Sequence, residues 1–591
     1  MKDVNIISIH FGHNASAAYL RNGKIEACVS EERFNRIKNS TGFPGQSLDY
    51  IWKKFTKDVD YYVITQHSPG GYNFLKKCKF KSVSSGIFPN YGEQDKRLPW
   101  LLKYFPNLYY KKLMRFLKNS YSRVEKNAAL NEEMKKYFSD LLNVDKNKIL
   151  YLNHHLAHAL AVRFFQKNTN NEILIFTLDG EGDGLAGSVT TIKNGKINIL
   201  SKINRVYSLG YLYSQTTAHL GMKPNEHEFK VMGLAPYAKR EYAKKIIPIF
   251  EKALWLDKKN EFKSNIPMQL IRHYLKEHLA YQRFDNIACA LQEYTEAIAT
   301  DWIKRWIKKT GINNIGGGGG VFMNVKMNQK IAELAEVESL TIVPSAGDES
   351  TVLGGCYYGY AKYCEENNLE MNISKINNLY LGTSYTEQEI ESYMRANGFF
   401  DKYEIVKPEN INQLVAQLLA ANQVVARFSG AMEFGARALG NRSILSNPAS
   451  YENIKIINDM IKNRDFWMPF AATILEKDAS KYLINPKNMT APFMAITFNT
   501  TSLAHKNLPA ALHPYDQTSR PQILNQDANP SYYELINEFK KNTGSSAILN
   551  TSFNLHGEPN VESPKDAFYT FANSGLKYMA IGPFLIKKYG N

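Results

Sequence analysis

Cysteine is scarce in this chain. Five residues out of 591, Cys28, Cys78, Cys289, Cys356 and Cys364, stand apart from one another with no CxxC pair. They offer no sulfur-based metal cage, suit a reducing cytosol and are read as structural. No apolar run approaches the length needed to cross a bilayer. The start, Met1-Lys2-Asp3-Val4-Asn5-Ile6-Ile7, enters a strand-like segment without the basic start, apolar middle and small-residue cleavage site of a signal peptide. A cytoplasmic chain without membrane contact is therefore expected. With 44% hydrophobic and 22% charged residues the composition is that of a globular protein. The length exceeds one ordinary core and predicts about two or three domains. No internal repeat is evident.

What the chain does have is positive charge, and it is unevenly placed. The formal net charge is +17. Between Lys76 and Lys126 lie thirteen Lys/Arg and only three Asp/Glu, interleaved with Phe, Tyr and Trp. Such a segment reads either as a grip on a polyanion, with aromatic rings to stack on bases, or as a solvated helical face.

The most informative pattern is Asn153-His154-His155-Leu156-Ala157-His158. On a helix, His154 and His158 share one face one turn apart, the geometry that a single metal ion takes from two imidazoles, while His155 points elsewhere. An isolated pair at this spacing is more often two ordinary helix histidines; the surrounding motifs change that balance. The first forty residues predict a hairpin: a strand through Ile9, a strand from Ala15 to Leu20, a turn at Arg21-Asn22-Gly23 and a strand from Ile25 to Val29. A ribonuclease H-like core, the fold of actin, sugar kinases and Hsp70 proteins, begins in this way. It would place a second Asp-Gly hairpin later, and Ile173 to Asp179 is a buried strand running into Asp179-Gly180-Glu181-Gly182-Asp183-Gly184. Glycines there let backbone N–H groups approach phosphate oxygens, and Asp179 or Asp183 would hold a metal or its waters.

Five consecutive glycines, Gly316 to Gly320, form a third loop after a short strand at Asn314-Ile315 and before Val321–Asn324, where a helix starts. That much lost backbone entropy points to close approach of a ligand or strand. Downstream, Ile342-Val343-Pro344 is a strand ending near Asp348, followed by a small-residue helix, so Asp348 sits where α/β folds collect ligands.

Together with Gly12-His13-Asn14-Ala15-Ser16-Ala17, Glu31-Glu32-Arg33-Phe34-Asn35-Arg36, Lys230-Val231-Met232-Gly233-Leu234-Ala235-Pro236-Tyr237, Glu433-Phe434-Gly435-Ala436-Arg437-Ala438-Leu439-Gly440-Asn441-Arg442 and Leu549-Asn550-Thr551-Ser552-Phe553-Asn554, these motifs resemble the NodU/CmcH family of ATP-dependent O-carbamoyltransferases, of which the tobramycin carbamoyltransferase is a member. The resemblance runs nearly end to end. It implies an α/β chain with two domains. Residues 1–369 would be like the tRNA threonylcarbamoyl transferase, on an actin-like (ASKHA) fold with a basic insertion over about 66–130. Residues 370–591 would be an α+β YrdC-like domain that forms carbamoyl-adenylate. The polar break Glu365-Glu366-Asn367-Asn368 agrees with that boundary.

The resemblance also implies the chemistry. Carbamoyl phosphate and ATP, with Mg2+, would give carbamoyl-adenylate in a cationic pocket of Arg437, Arg442, Lys462, Arg464 and Arg520, with Asn550 and Ser552 on the carbamate or ribose. Nucleotide would lie against Asp179, Gly180, Gly182, Asp183, Gly318, Gly319 and Asn324. His154, His158 and Asp348 would hold a divalent metal, Fe2+ by the family, and His13 would take the proton of the acceptor hydroxyl. Asn14 departs from the acidic residue often found beside that histidine, and Ala436 from a proline.

The acceptor stays open between two readings: the hydroxyl of a sugar, glycan or natural product, and the hydroxymethyl group of a modified pyrimidine such as 5-hydroxymethylcytosine in DNA, gripped by Lys76–Lys126. A reading of another class, a non-catalytic ATP-dependent clamp, uses neither a second phosphate site nor the two histidines. Oligomeric state is not legible.

Overall fold

The computed structural model describes residues 3–66, 110, 111, 113–115, 118, 128–167 and 171–589. Most of the basic Lys76–Lys126 segment, and with it the nucleic-acid grip, lies outside the described residues. The chain folds into two compact units. The first comprises Met1–Glu31 and Asn39–Ile376; the second comprises Glu32–Lys38 and Asn377–Asn591.

The first unit is built twice from one plan. Strands β1 (Asn5–His10), β2 (Ser16–Arg21), β3 (Lys24–Ser30), β4 (Tyr61–Ile64) and β5 (Ile149–Tyr151) form a sheet in the order β3-β2-β1-β4-β5. Strands β6 (Ile173–Gly182), β7 (Leu185–Lys193), β8 (Lys196–Asn204), β9 (Asn314–Gly318) and β10 (Ser339–Ile342) form another in the order β10-β9-β6-β7-β8. In each, three strands make an antiparallel meander and two more run parallel beside the first. This is the ribonuclease H-like topology expected from the first hairpin, duplicated without any sequence repeat. The duplication is carried by burial pattern, not by residue identity. Ile6, Ile7 and Ile9 are all buried, as a strand covered on both faces requires.

Two-residue turns join β2 to β3 and β6 to β7. Asn22-Gly23 lies at φ 49° and 79°, and Asp183-Gly184 at 50° and 74°, the left-handed pair that suits the twist of a hairpin. The second turn falls at Asp183-Gly184 and not at Asp179-Gly180, because β6 continues past an irregularity in register between Leu178 and Gly182.

Five helices matter to the site: α1 (His154–Ala161), α2 (Leu209–His219), α3 (Phe284–Thr310), α4 (Val325–Glu333) and α5 (Thr351–Glu366). Helix α1 begins where the side chain of Asn153 accepts from the backbone N–H groups of His155 and Leu156. Helix α5 presents glycines at two neighbours. A Cβ on Gly354 would overlap the carbonyl oxygen of Ala157 in α1, and one on Gly355 would overlap the hydroxyl of Ser8 in β1. The small-residue helix read from the sequence thus exists to let α1 and β1 approach.

The second unit centres on a mixed eight-stranded sheet: β11 (Tyr403–Val406), β12 (Val425–Phe428), β13 (Arg442–Ser446), β14 (Ala471–Leu475), β15 (Gln522–Leu524), β16 (Ala547–Ser552), β17 (Tyr578–Ile581) and β18 (Phe584–Lys588), in the order β11-β18-β17-β12-β13-β16-β14-β15. Alternate residues face two cores: Ala426, Ile444, Leu549 and Met579 line one, and Val425, Leu445, Ile548 and Ala580 the other. The chain is thus mixed α/β throughout. Among the described residues no helix is long and apolar enough to cross a membrane.

Replacing Gly354 by Ala should destabilise the first unit by about 1–3 kcal/mol, the usual cost of forcing a methyl group into a filled contact. A urea midpoint equal to that of the unmodified protein would show that α5 and α1 can move apart freely.

Candidate functional site

His154, His158, Asp179 and Asp348 bring one ligand atom each to within 4.8 Å of one another. The sequence separates them by up to 194 positions; α1, β6 and the turn before α5 reunite them. Nε2 of His154 and Nε2 of His158 stand 3.1 Å apart. Oδ2 of Asp179 lies 3.3 Å from each, and Oδ1 of Asp348 lies 3.5 Å and 3.7 Å from them. Two nitrogens bound at about 2.0–2.1 Å to one ion are themselves about 3.0–3.4 Å apart, so the observed spacing fits a first-row divalent metal. Asp179 joins the three residues read as ligands; its place in the sequence suggested the phosphate loop as readily.

The charges lock together. Burial disfavours a charged His154, but Asp348 and Asp179 outweigh it and hold its pKa well above the ordinary histidine value. Burial likewise opposes charge on Asp348, and the imidazole of His154 reverses this and pulls its carboxyl well below the carboxylate range. Two further histidines stay neutral. Burial brings His10 down to about 4 and His155 down to about 3. His155 points away from the cage, with Nδ1 3.0 Å from the hydroxyl of Thr177. His10, missed in the sequence because it closes a strand with no motif of its own, places Nε2 3.8 Å from Oδ2 of Asp348.

The glycine-rich loops build walls around this cage. A Cβ on Gly182 would fall inside the ring of His154, and one on Gly318 would lie 3.1 Å from the carbonyl oxygen of His158. Gly319, at φ 92°, passes against the backbone of Leu178. The five-glycine run is therefore half strand: β9 extends through Gly318, and Val162, Phe322 with Ile342, and His158 lie too close to Gly316, Gly317 and Gly318 in turn for side chains there. The N–H of Gly180 donates to Oδ1 of Asp179 at 2.6 Å. Asp183 is not in the cage; its Oδ2 accepts from the N–H of His154 at 2.8 Å and fixes the start of α1. Asn324 caps α4 and exchanges amide hydrogen bonds with Gln292 of α3. His13 lies in the turn after β1, with its Nε2 buried and making no hydrogen bond to the protein.

In the second unit the cations gather. Arg437 and Arg464 both act on Arg520, Arg437 acts on Arg464, and Arg464 acts on Lys462. Burial, reinforced by these like charges, lowers Arg464 to about 10 and pushes Arg520 and Lys462 well below their ordinary values. Arg464 stacks 4.6 Å over Phe470 and donates to the hydroxyl of Thr551 at 2.9 Å. Nζ of Lys462 donates to Ser552 Oγ at 3.2 Å and to Asn554 Oδ1 at 2.7 Å. Asn550 donates to the carbonyl of Ala438 and to Thr473, leaving its Oδ1 buried without a hydrogen bond.

Arg442 stands apart from this cluster. Fully buried, it stacks 3.6 Å over Phe428 and donates to the carbonyls of Ser429, Gly430 and Thr383. Beside it, Oε1 of Glu433 accepts from the N–H groups of Leu439, Asn441 and Arg442 and so shapes the loop that carries Arg437. Arg33, from the short N-terminal segment of this unit, donates to the carbonyl of Gly435 in the same loop at 2.6 Å.

Because a metal must displace the proton on His154, uptake of Co2+ or Zn2+ near neutral pH should release about one proton per ion. Affinity should rise with pH and level off only above the raised pKa of His154. Calorimetry in buffers of different ionisation enthalpy measures this, and proton-neutral binding would contradict the charge assignment.

Comparison with known proteins bears on what such a pair of sites does. A family model described as the carbamoyltransferase N-terminus matches residues 5–356, and one described as the carbamoyltransferase C-terminus matches residues 416–588. An uncharacterized protein of Methanocaldococcus jannaschii is 32% identical over 99% of this chain and 99% of its own length. Nodulation protein NolNO of Sinorhizobium fredii is 28% identical over 98% of this chain and 79% of its own. Full-length HypF, in a crystal structure of the phosphate- and nucleotide-bound form, aligns with 61% of this chain at 10% identity and a TM-score of 0.33, covering 56% of its own chain, too weak a likeness to carry an argument. On the two family models, which between them span most of its length, the chain belongs to the carbamoyltransferase family and is a transferase.

Proposed function

We propose that the protein uses ATP and carbamoyl phosphate to carbamoylate the hydroxyl of a sugar, glycan or natural product, by way of carbamoyl-adenylate. The observation that carries this reading is the division of chemistry: a metal-shaped cage in the first unit and a cluster of buried cations in the second. A two-step transfer needs both; a clamp needs neither.

In the second unit, carbamoyl phosphate is hydrolysed to carbamate and phosphate. A carbamate oxygen then attacks the α-phosphorus of ATP, and the bond to pyrophosphate breaks. Arg437, Arg464, Arg520 and Lys462 neutralise the phosphate oxygens, a role for which buried like charges are poised because an anion relieves their mutual repulsion. Asn550 and Ser552 hydrogen-bond the carbamate or ribose. Arg442 braces the loop that carries Arg437.

In the first unit, the acceptor oxygen attacks the carbamoyl carbon, the carbon–oxygen bond to the adenylate phosphate breaks, and AMP leaves. The unpaired Nε2 of His13 takes the hydroxyl proton. A divalent ion, Fe2+ by the family resemblance, held by His154, His158, Asp348 and Asp179, would supply Lewis acidity toward the phosphate of the leaving group.

The steps separate by mutation. Arg464→Ala should reduce carbamoyl-dependent exchange of pyrophosphate into ATP by about 10²–10³-fold. His158→Ala should keep that exchange and lose transfer of label from carbamoyl phosphate to an acceptor panel of aminosugars, nucleotide sugars and 5-hydroxymethylcytosine DNA. Loss of exchange in His158→Ala would overturn the division, and label on DNA alone would replace the acceptor class. A second outcome is set by Lys462. Its lowered pKa leaves it uncharged at a pH where an ordinary lysine is still cationic, so the KM for ATP in the exchange reaction should rise as pH is raised. A KM that does not rise at any pH below the ordinary lysine value of about 10.4 would remove Lys462 from the phosphate site.

A further inference from the structure

The turn that carries His13 has little regular backbone to hold it. Gly12, at φ 114°, and Asn14, at φ 57°, flank the histidine; paired N–H···O bonds between Gly12 and Gly42 hold the leading edge of the turn, and the N–H of Ala15, donating to the carbonyl of Ser40, holds its trailing edge. The carbonyl oxygen of His13 itself is met by a side chain: Nε2 of His10, 3.1 Å away. That imidazole is 1% exposed, and its other nitrogen, Nδ1, lies 3.2 Å from the hydroxyl of Thr65. The hydroxyl of Thr65 stands 2.9 Å from that of Thr351, which donates to the backbone carbonyl of Asp348 at 2.6 Å.

His10 therefore reaches Asp348 from two sides: through Nε2 at the carboxylate, and through the two threonines at the backbone. It touches the His13 turn with the same nitrogen. Nε2 faces a carbonyl and a carboxylate, both of which only accept, so the proton of the neutral ring belongs there.

We propose that His10 is a positioning residue that holds the His13 turn and the Asp348 carboxylate in fixed relation, so that the proton-accepting imidazole and the metal cage meet the acceptor and the adenylate at one set distance. The proposal rests on the two-step reading for what His13 does, but its effect on the cage is independent of that reading. Buried groups that orient a metal ligand typically change metal affinity or activity about 10–100-fold when removed.

The test uses the full-length chain and Co2+ as probe. His10→Phe fills the volume without a donor. His10→Gln keeps an N–H donor near the position of Nε2, whereas His10→Asn offers one nearer Nδ1. His10→Phe and His10→Asn should bind Co2+ about 10–100-fold more weakly, shift its visible absorption bands and lower kcat for transfer with little change in the KM for acceptor. His10→Gln should recover most of the affinity and the spectrum. Pyrophosphate exchange, which belongs to the second unit, should stay at the level of the unmodified protein in all three and so report that the chains are folded. The proposal is overturned if His10→Phe binds Co2+ with unaltered affinity and spectrum, or if His10→Gln is as impaired as His10→Phe, which would make His10 a packing residue. Absence of exchange in the unmodified protein would instead sink the two-step reading and leave the Co2+ comparison to decide His10.

Discussion

Two carboxylates and two imidazoles share a space in which none of the four is at ease alone. Asp179 and Asp348 would repel one another, and His154 and His158, with nitrogens 3.1 Å apart, would do the same if both were charged. Their mutual neutralisation, in a site closed to all but a small part of the solvent, is the constraint that the first unit is arranged around. Backbone has to pass close on several sides, and each passage falls at a glycine: Gly182 under the ring of His154, Gly318 and Gly319 beside α1 and β6, Gly354 against α1. The left-handed turn at Asp183-Gly184 serves the same end, returning β7 while Asp183 reaches back to the first N–H of the histidine helix.

The second unit solves the opposite problem. Its cations are crowded together, and the backbone around them helps to keep them in place. Glu433 gathers three N–H groups of the loop that carries Arg437, Arg442 is spent on carbonyls and an aromatic face, and Phe470 lies beneath Arg464. Positive charge is thus held in a setting fixed by hydrogen bonds and an aromatic face.

Much of this was legible in the residues. The histidine spacing, the Asp-Gly hairpins and the small-residue helix after Asp348 each state a local geometry, and local geometry is what periodicity and turn chemistry encode. What escaped was long-range. His10 ends an apolar strand like any other strand residue, and only the sheet brings it to Asp348. Asp179 and Asp183 look alike in sequence; a bulge in β6 turns one into the cage and leaves the other as a helix cap. Arg442 belongs to the same motif as Arg437, yet adjacent strand and loop positions send one guanidinium into the core and the other to the cation cluster. The duplicated sheet was invisible because a fold asks only for buried and turn positions in order, and unrelated residues meet that demand equally well.

One feature bears on how such a molecule comes to exist in time. Residues Glu32–Lys38 belong to the second unit, where Arg33 bonds to Gly435 and Arg36 to the carbonyls of Pro559 and Asn560. Those partners are separated by 402 to 524 positions. A ribosome adding about 5–20 residues per second leaves the early segment waiting for roughly twenty seconds to nearly two minutes before its partners emerge. The first unit must therefore close around a gap in its own chain and keep two arginines in reserve. Assembly of the second unit is then governed less by the closing of any one loop, whose cost grows only slowly with length, than by keeping that early strip uncommitted until the chain is complete.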